Sequence, residues 1–299
     1  MSVKLHTGTA ALNAITNWPE SVLTAQPLAA GKKKPSLGDT PQFFNLKWNI
    51  TSKTEQSEGW FKFENARMHR GIVSKEKAEG SELKFEGMRL SLRLKASQLG
   101  DFGKFLMLAE PEWQKLVERL NKEGRIAYNH KQDVHPIVYL TYTDKHKVEE
   151  LRGKPNPDPT VKIKIDFGKY SDTYAPPPMV KGTQKTQIFD ATKPYTDKDG
   201  KTKYKTATVL NEDGKEEELN ANNIHKMLTT GSMVSGLIHI PAGIVSGSWV
   251  STPMYVARLY VAPGSDEGFD DDIAVPGAPS NDVKKAEVDD VDAFLNGMV

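Results

Sequence analysis

The stretch Val161-Lys162-Ile163-Lys164-Ile165-Asp166-Phe167 alternates apolar and charged residues without a break. A period of two puts one set on a buried face of a β-strand and the other on a wet face. On a helix the same residues would be spread around the whole circumference, leaving no side to bury. The chain must therefore build a sheet with one apolar face, and other segments repeat the pattern. Leu46, Trp48 and Ile50 alternate with Asn45, Lys47 and Asn49, and Met88, Leu90, Leu92 and Leu94 alternate with Arg89, Ser91, Arg93 and Lys95. Trp60-Phe61-Lys62-Phe63 leads into a strand predicted over 66–73. Further strands are predicted over 137–142, 189–196, 201–210, 233–240 and 248–261, with 241–247 joining the last two. Asp199-Gly200 and Glu212-Asp213-Gly214 supply turn signals.

Helix is limited. Glu110-Pro111-Glu112 opens a helix predicted over 113–122, where Trp113, Leu116, Val117 and Leu120 repeat at helical spacing and Gly124 supplies the stop. A second helix is predicted over 221–228, with Asn220 as its cap. Residues 1–40, rich in Ala, Thr, Pro and Gly, read as a loosely ordered, flexible N-terminal arm with room for one short helix. Apolar periodicity ends at Pro263, so 265–299 read as a disordered acidic tail. Many strands, two inserted helices and no regular βα alternation indicate a mainly β (α+β) fold over 41–264, a small barrel extended by flanking elements.

The chain carries 40 Lys and Arg against 39 Asp and Glu, but unevenly. Residues 265–299 hold ten acids and two lysines, a net −8, which leaves 38 bases against 29 acids, a net +9, on the first 264. A basic body with an acidic end suits a polyanion binder that carries its own competitor; a solubilising tail on a diffusely basic body is the plainer explanation. The absence of cysteine closes off a disulfide framework, a thiolate zinc site and a cysteine nucleophile. No P-loop, G-x-S-x-G elbow or dinucleotide fingerprint is present. His130, Asp133 and His135 form a loose cluster, and Asp144, Asp158 and Asp166 sit in separate contexts; neither set has the spacing of a metal or nuclease motif. We expect no catalytic residue, metal or cofactor. The longest apolar run, around 231–238, is too short to span ~30 Å of hydrocarbon. Residues 1–16 lack the apolar core of a secretory signal. A soluble, intracellular protein that does not engage a membrane is expected.

Binding of unpaired nucleic acid has positive support. Such a protein needs cations that follow phosphates and rings on which bases stack. Lys162 and Lys164 leave the apolar face of their strand, and Lys169 and Tyr170 follow at its end. The next hairpin holds Lys193, Tyr195, Lys198, Lys201, Lys203, Tyr204 and Lys205 within thirteen residues. A third stretch holds Trp60, Phe61, Lys62, Phe63, Arg67, His69 and Arg70. Any one such strand is more often a solvated outer face, and Trp60, Phe61 and Phe63 cannot all point one way. Three of them together with the charge split favour the binder. The predicted phosphate contacts are Lys162, Lys164, Lys169, Lys201, Lys203 and Lys205, with Arg67 and Arg70 on the same surface. The predicted stacking rings are Trp60, Tyr170, Tyr195 and Tyr204. In the tail, Asp289, Asp290 and Asp292 precede Phe294, a pairing suited to occupying a basic groove or docking a replication protein.

Pro155-Asn156-Pro157 leading into Val161-Lys162-Ile163-Lys164-Ile165, Lys193-Pro194 before the hairpin, and Asn220-Ala221-Asn222-Asn223-Ile224-His225-Lys226-Met227-Leu228 belong together. With Ser235-Gly236-Leu237-Ile238, the stretch 256–261 and the acidic end, the chain over about 154–265 resembles the single-stranded DNA-binding protein of nucleocytoplasmic large DNA viruses, asfarvirus type. Phe43-Phe44-Asn45-Leu46-Lys47-Trp48 is similar to an early strand of that family. The resemblance implies an OB-fold-type barrel with inserted helices that coats single-stranded DNA during viral DNA replication, without sequence preference and without a metal. It also implies an intracellular location at the viral replication site of the host cell, cytoplasmic factory or nucleus. The long tail with Pro276, Gly277 and Pro279 departs from the family, as does the N-terminal arm. RNA stays open as a partner, because charge and stacking do not read the sugar; self-association on DNA stays open too. The alternative from another class is a virion or scaffold protein whose basic body binds acidic partners.

Overall fold

The computed structural model describes residues 4–26, 42–68, 71–72, 90–126, 133–142, 148–165, 186–219, 223–245 and 249–264, and over these the chain is mixed α+β and mostly strand. α1 (Gly8–Asn17), α2 (Pro19–Val22) and β1 (Leu23–Ala25) come first, followed by β2 (Gln42–Trp48), β3 (Trp60–Arg67), β4 (Leu90–Lys95) and α3 (Gly100–Lys122). Next are β5 (Asp133–Val134), β6 (Thr160–Ile165), β7 (Gln187–Thr196), β8 (Thr202–Thr206), β9 (Thr208–Leu210) and β10 (Glu216–Glu218). The order closes with β11 (Met233–His239), β12 (Ala242–Val245), β13 (Trp249–Ser251) and β14 (Met254–Ala262).

The larger sheet has seven strands in the order β3-β11-β14-β6-β4, with β7 also on β14 and β8 on β7. β14 is its branch point: Met254 and Tyr255 run parallel to β6, whereas 258–261 run parallel to β7. β1-β2-β12-β13-β5 form a second sheet, and β9 and β10 a separate hairpin. The chain passes between the sheets at Ile240-Pro241. There the Leu46 amide donates to the Pro241 carbonyl (3.1 Å) and Trp48 Nε1 donates to that of Ile240 (3.3 Å). Trp48 meets Phe61 edge-on with ring centres 5.3 Å apart, and Phe61 lies against Phe102 and Phe105 of α3, each at 5.4 Å. Both sheets and α3 thus share one apolar core.

Several sequence expectations change. Residues 4–26 are not a flexible arm. Thr7 caps α1 by accepting from the Ala10 amide, Ala11, Ala14 and Ile15 are buried, and a Cβ on Gly8 would come within 2.6 Å of the Phe102 amide. β1 pairs with β2. The helix predicted over 113–122 starts at Gly100, because Phe102, Phe105, Leu106 and Ala109 extend its buried stripe upstream; Pro111 sits inside it at the cost of one backbone bond. The helix predicted over 221–228 is a single 3-10 turn, Ile224–Lys226, and Asn220 lies outside the described residues.

Residues 137–142 make only isolated bridges, Val138 with Val161 and Thr141 with Pro155. Their first amides are taken elsewhere: buried Glu110 accepts from Ile137 (2.6 Å) and Val138 (3.2 Å) through Oε2, and from the Gln114 amide (2.7 Å) through Oε1. Burial pushes the Glu110 carboxyl up, and these hydrogen bonds offset only part of that. The connection 241–247 contains β12, and the strand expected over 201–210 breaks at buried Ala207, whose amide donates to the Ile188 carbonyl (2.9 Å).

Candidate nucleic-acid interface

Along β11, Val234, Gly236 and Ile238 are buried, so Met233, Ser235, Leu237 and His239 occupy the opposite, outer face. Strand register extends each of them into a row across the sheet. One row runs Trp60, His239, Tyr255, Lys164 and Ser91 over five strands. The next runs Lys62, Leu237, Arg258 and Gln187, and a third Ser235, Tyr260, Phe189 and Thr206. A fourth holds Arg67, Met233 and Ala262. Beside the first row, Lys162 stands directly opposite Arg93.

Rings concentrate in the first and third rows, four residues apart on β11, or about 13 Å. In the first, the Trp60 ring lies flat on His239 with centres 3.9 Å apart, and its Nε1 donates to Glu58 (3.0 Å). Burial holds the His239 imidazole down to about 4 against the pull of Glu58, so this stack is between neutral rings at neutral pH. Lys164 Nζ stands 5.9 Å from the centre of the Tyr255 ring, within cation–π range. In the third, Tyr260 stacks on Phe189 (5.1 Å) and meets Tyr204 of β8 edge-on (5.4 Å). Burial raises the Tyr260 phenol above its ordinary value, with Arg258 pulling it back. Arg258 lies between the ring rows, its Nε donating to Gln187 (3.1 Å).

The charges on this face are unevenly compensated. Lys62 pairs with Glu64 and Lys95 with Asp158, both at 2.6 Å. Lys162 and Arg93 are both exposed and are cross-strand neighbours of like charge. That juxtaposition destabilises a sheet unless an anion lies between them. The face can therefore hold a chain of anions running past flat rings.

The predicted residues divide accordingly. Lys162, Lys164 and Arg67 fall on the outer face, and Tyr204 reaches it through Tyr260. Trp60 is on that face but only 8% exposed, with its ring already stacked, so it is corrected from an open platform to part of the floor. Tyr195, Lys203 and Lys205 alternate with Tyr204 and Thr202, which places them on the other side of the β7–β8 ribbon. Lys203 is also tied to Asp197 Oδ2 (2.8 Å). Lys201 lies in the turn, exposed, its amide donating to Asp197 (2.9 Å). Arg70, Lys169, Tyr170, Asp289, Asp290, Asp292 and Phe294 lie outside the described residues.

Sequence reasoning missed His239, Tyr255, Arg258, Tyr260, Phe189 and Arg93. Arg93 was legible as the wet side of an alternating strand. The β14 residues were hidden by a bulge opposite Leu237 and Ile238, which puts Tyr255 and Arg258 on one face although they are three apart.

Among the described residues, no group of three or more His, Cys, Asp or Glu is placed to hold a metal ion, and no helix is long and apolar enough to cross a membrane. No family model and no curated protein matches the chain, so the asfarvirus-type resemblance rests on its sequence motifs alone. Two solved structures are similar at a low level. One is a single-stranded DNA-binding protein from bacteriophage Enc34 in a C-terminal truncation, with 10% identity and a TM-score of 0.29 over 82% of this chain and 98% of that one. The other is gp2.5, a single-stranded DNA-binding protein encoded by bacteriophage T7, with 12% identity and a TM-score of 0.29 over 72% of this chain and 97% of that one. Likenesses of that size leave the function to be argued from the residues.

Proposed function

We propose that this chain is a non-enzymatic protein that binds single-stranded DNA largely without regard to sequence, on an OB-type barrel, and coats it during viral DNA replication, as the asfarvirus-type resemblance implies. The observation that carries the reading is the outer face of the seven-stranded sheet, where two groups of rings flank Arg258 and lie beside the opposed Lys162–Arg93 pair. Stacking on rings tolerates any base, each contributing roughly 1–3 kcal/mol, and phosphate contacts carry no sequence information. The acidic segment 265–299 is proposed to compete for the same face when DNA is absent and to dock replication proteins. The proposed place of action is the viral replication site inside the host cell.

Titration of the full chain with oligo-dT of increasing length tests this. Binding should saturate at a defined length and weaken steeply with salt, by a log–log slope of about −0.7 for each phosphate neutralised. Failure to bind oligo-dT at low salt, with and without 265–299, would overturn the proposal and favour a virion or scaffold role with acidic protein partners.

A further inference from the structure

β7 is ten residues long, but only 187–190 pair with β14. Beyond them it continues as a two-stranded ribbon with β8, and at the departure point the register jumps. Phe189 faces Thr206 and Pro194 faces Tyr204, so five steps along β7 answer two along β8. Extra residues on one strand bend it and re-aim whatever follows.

The bend is organised by one side chain. Asp190 is 6% exposed; its Oδ1 accepts from the Thr192 amide (2.9 Å) and hydroxyl (2.5 Å), and its Oδ2 pairs with Lys193 Nζ (3.3 Å). Burial pushes this carboxyl up, but the bonds from Thr192 and Lys193 outweigh it and hold the group below the usual aspartate range. Pro194 follows, with a fixed φ and no amide to pair otherwise. The far end of the ribbon is fixed in a similar manner. Asp197 Oδ1 accepts from the amides of Asp199 and Lys201, both at 2.9 Å, and Gly200 takes the positive φ (78°) that the turn requires. With both ends tied, the direction of the ribbon is set at Asp190.

We propose that Asp190 is a positioning residue: the bulge it holds aims the β7–β8 ribbon so that Tyr204 meets Tyr260, and a polynucleotide on the outer face is held between sheet and ribbon. This rests on reading that face as the single-strand site. Asp190 touches no DNA. Its loss frees the ribbon, and with it the Tyr204 contact, while Lys162, Lys164 and Arg93 stay in place on β6 and β4.

The test uses the full chain and its Asp190→Ala, Asp190→Asn, Thr192→Val, Tyr204→Ala and Asp190→Ala/Tyr204→Ala variants. Oligo-dT affinity is measured over a range of salt, with thermal midpoints and amide exchange recorded on the same samples. Asp190→Ala should weaken binding roughly 10- to 100-fold, the worth of about one stacked base, and leave the salt slope near its wild-type value, because the cations of β3, β4, β6 and β14 keep their places. Its β8 amides should exchange faster while those of β11 and β14 do not. Asp190→Asn keeps an acceptor for both Thr192 donors and should recover most of the affinity. Adding Tyr204→Ala to Asp190→Ala should cost little more, because both act on one contact.

Wild-type affinity in folded Asp190→Ala, no recovery in folded Asp190→Asn, or full additivity with Tyr204→Ala would each overturn the inference. If Asp190→Ala does not fold, Thr192→Val carries the test: it removes only the hydroxyl bond and should show a smaller loss in the same direction, unchanged binding refuting the idea. If the wild-type chain ignores oligo-dT, it is the functional reading that fails. The exchange data then decide separately whether Asp190 holds the ribbon.

Discussion

Replacing Lys162 and replacing Lys203 by alanine should have different consequences, although both are strand lysines in alternating segments. Lys162 is exposed on the outer face against Arg93, whereas Lys203 lies across the ribbon from Tyr204 and is held by Asp197. Taking Arg67, Arg93, Lys162, Lys164 and Arg258 as the phosphate contacts gives a slope of about −3.5, or roughly a 130-fold loss of affinity between about 50 and 200 mM salt. Lys162→Ala should lower the slope to about −2.8 and the loss to about 50-fold, a ratio of about 2.6 that fluorescence anisotropy with a labelled oligo-dT resolves. Lys203→Ala should leave the slope where it was and slightly lower the thermal midpoint, since it removes only a partly exposed pair between β8 and the ribbon turn. An unchanged slope in Lys162→Ala combined with a shallower one in Lys203→Ala would refute the placement of the strand on the outer face and move it to the back of the ribbon.

Other measurements separate the same surfaces. Tyr204→Ala should weaken oligo-dT binding about 10-fold or more with the fold retained, whereas Tyr195→Ala, 44% exposed on the far side of the ribbon, should change it less than twofold in the same titration. Deleting 265–299 should strengthen binding at low salt and matter little at high salt, where its charge is screened; weaker binding would remove the competitor role. His239 titrates at about 4 in the fold against an ordinary 6.5, so the unfolded chain takes up the proton first. Its contribution to stability is complete above pH 6.5 and is lost as pH falls toward 4, by at most roughly 3 kcal/mol. His239→Phe, which keeps a ring on Trp60, should flatten that part of the stability–pH curve in denaturant titrations. An unaltered curve would assign the acid sensitivity elsewhere, His6 first, since burial holds it down to about 4 as well.

What could be read from the sequence was whatever a single strand encodes by itself. The alternation of 161–165 settled both the element and its faces, because burial parity is intrinsic to an extended chain: Val161, Ile163 and Ile165 are wholly buried, and Lys162 is exposed. A short helix in the N-terminal segment was expected, but α1 could not be placed or seen to pack, because its buried side is mostly alanine, Ala11 and Ala14 with Ile15, small enough to pack on α3 yet too weakly apolar to stand out from a polar segment. The site itself was legible only in pieces. Trp60 and His239 are 179 positions apart in the chain and become a stack only through β3–β11 pairing. Bulges in β14 and β7 then reset the phase on which parity reasoning depends, bringing Arg258 onto the ring face and turning the ribbon at Asp190. Lysine content alone made the hairpin look like one surface, but a two-stranded ribbon has two sides, and only the Tyr204 side meets the sheet. A strand lying on the outer face therefore has its cations supplied mainly by β4, β6 and β14. The lysines whose density drew attention to the hairpin then act at most from behind it.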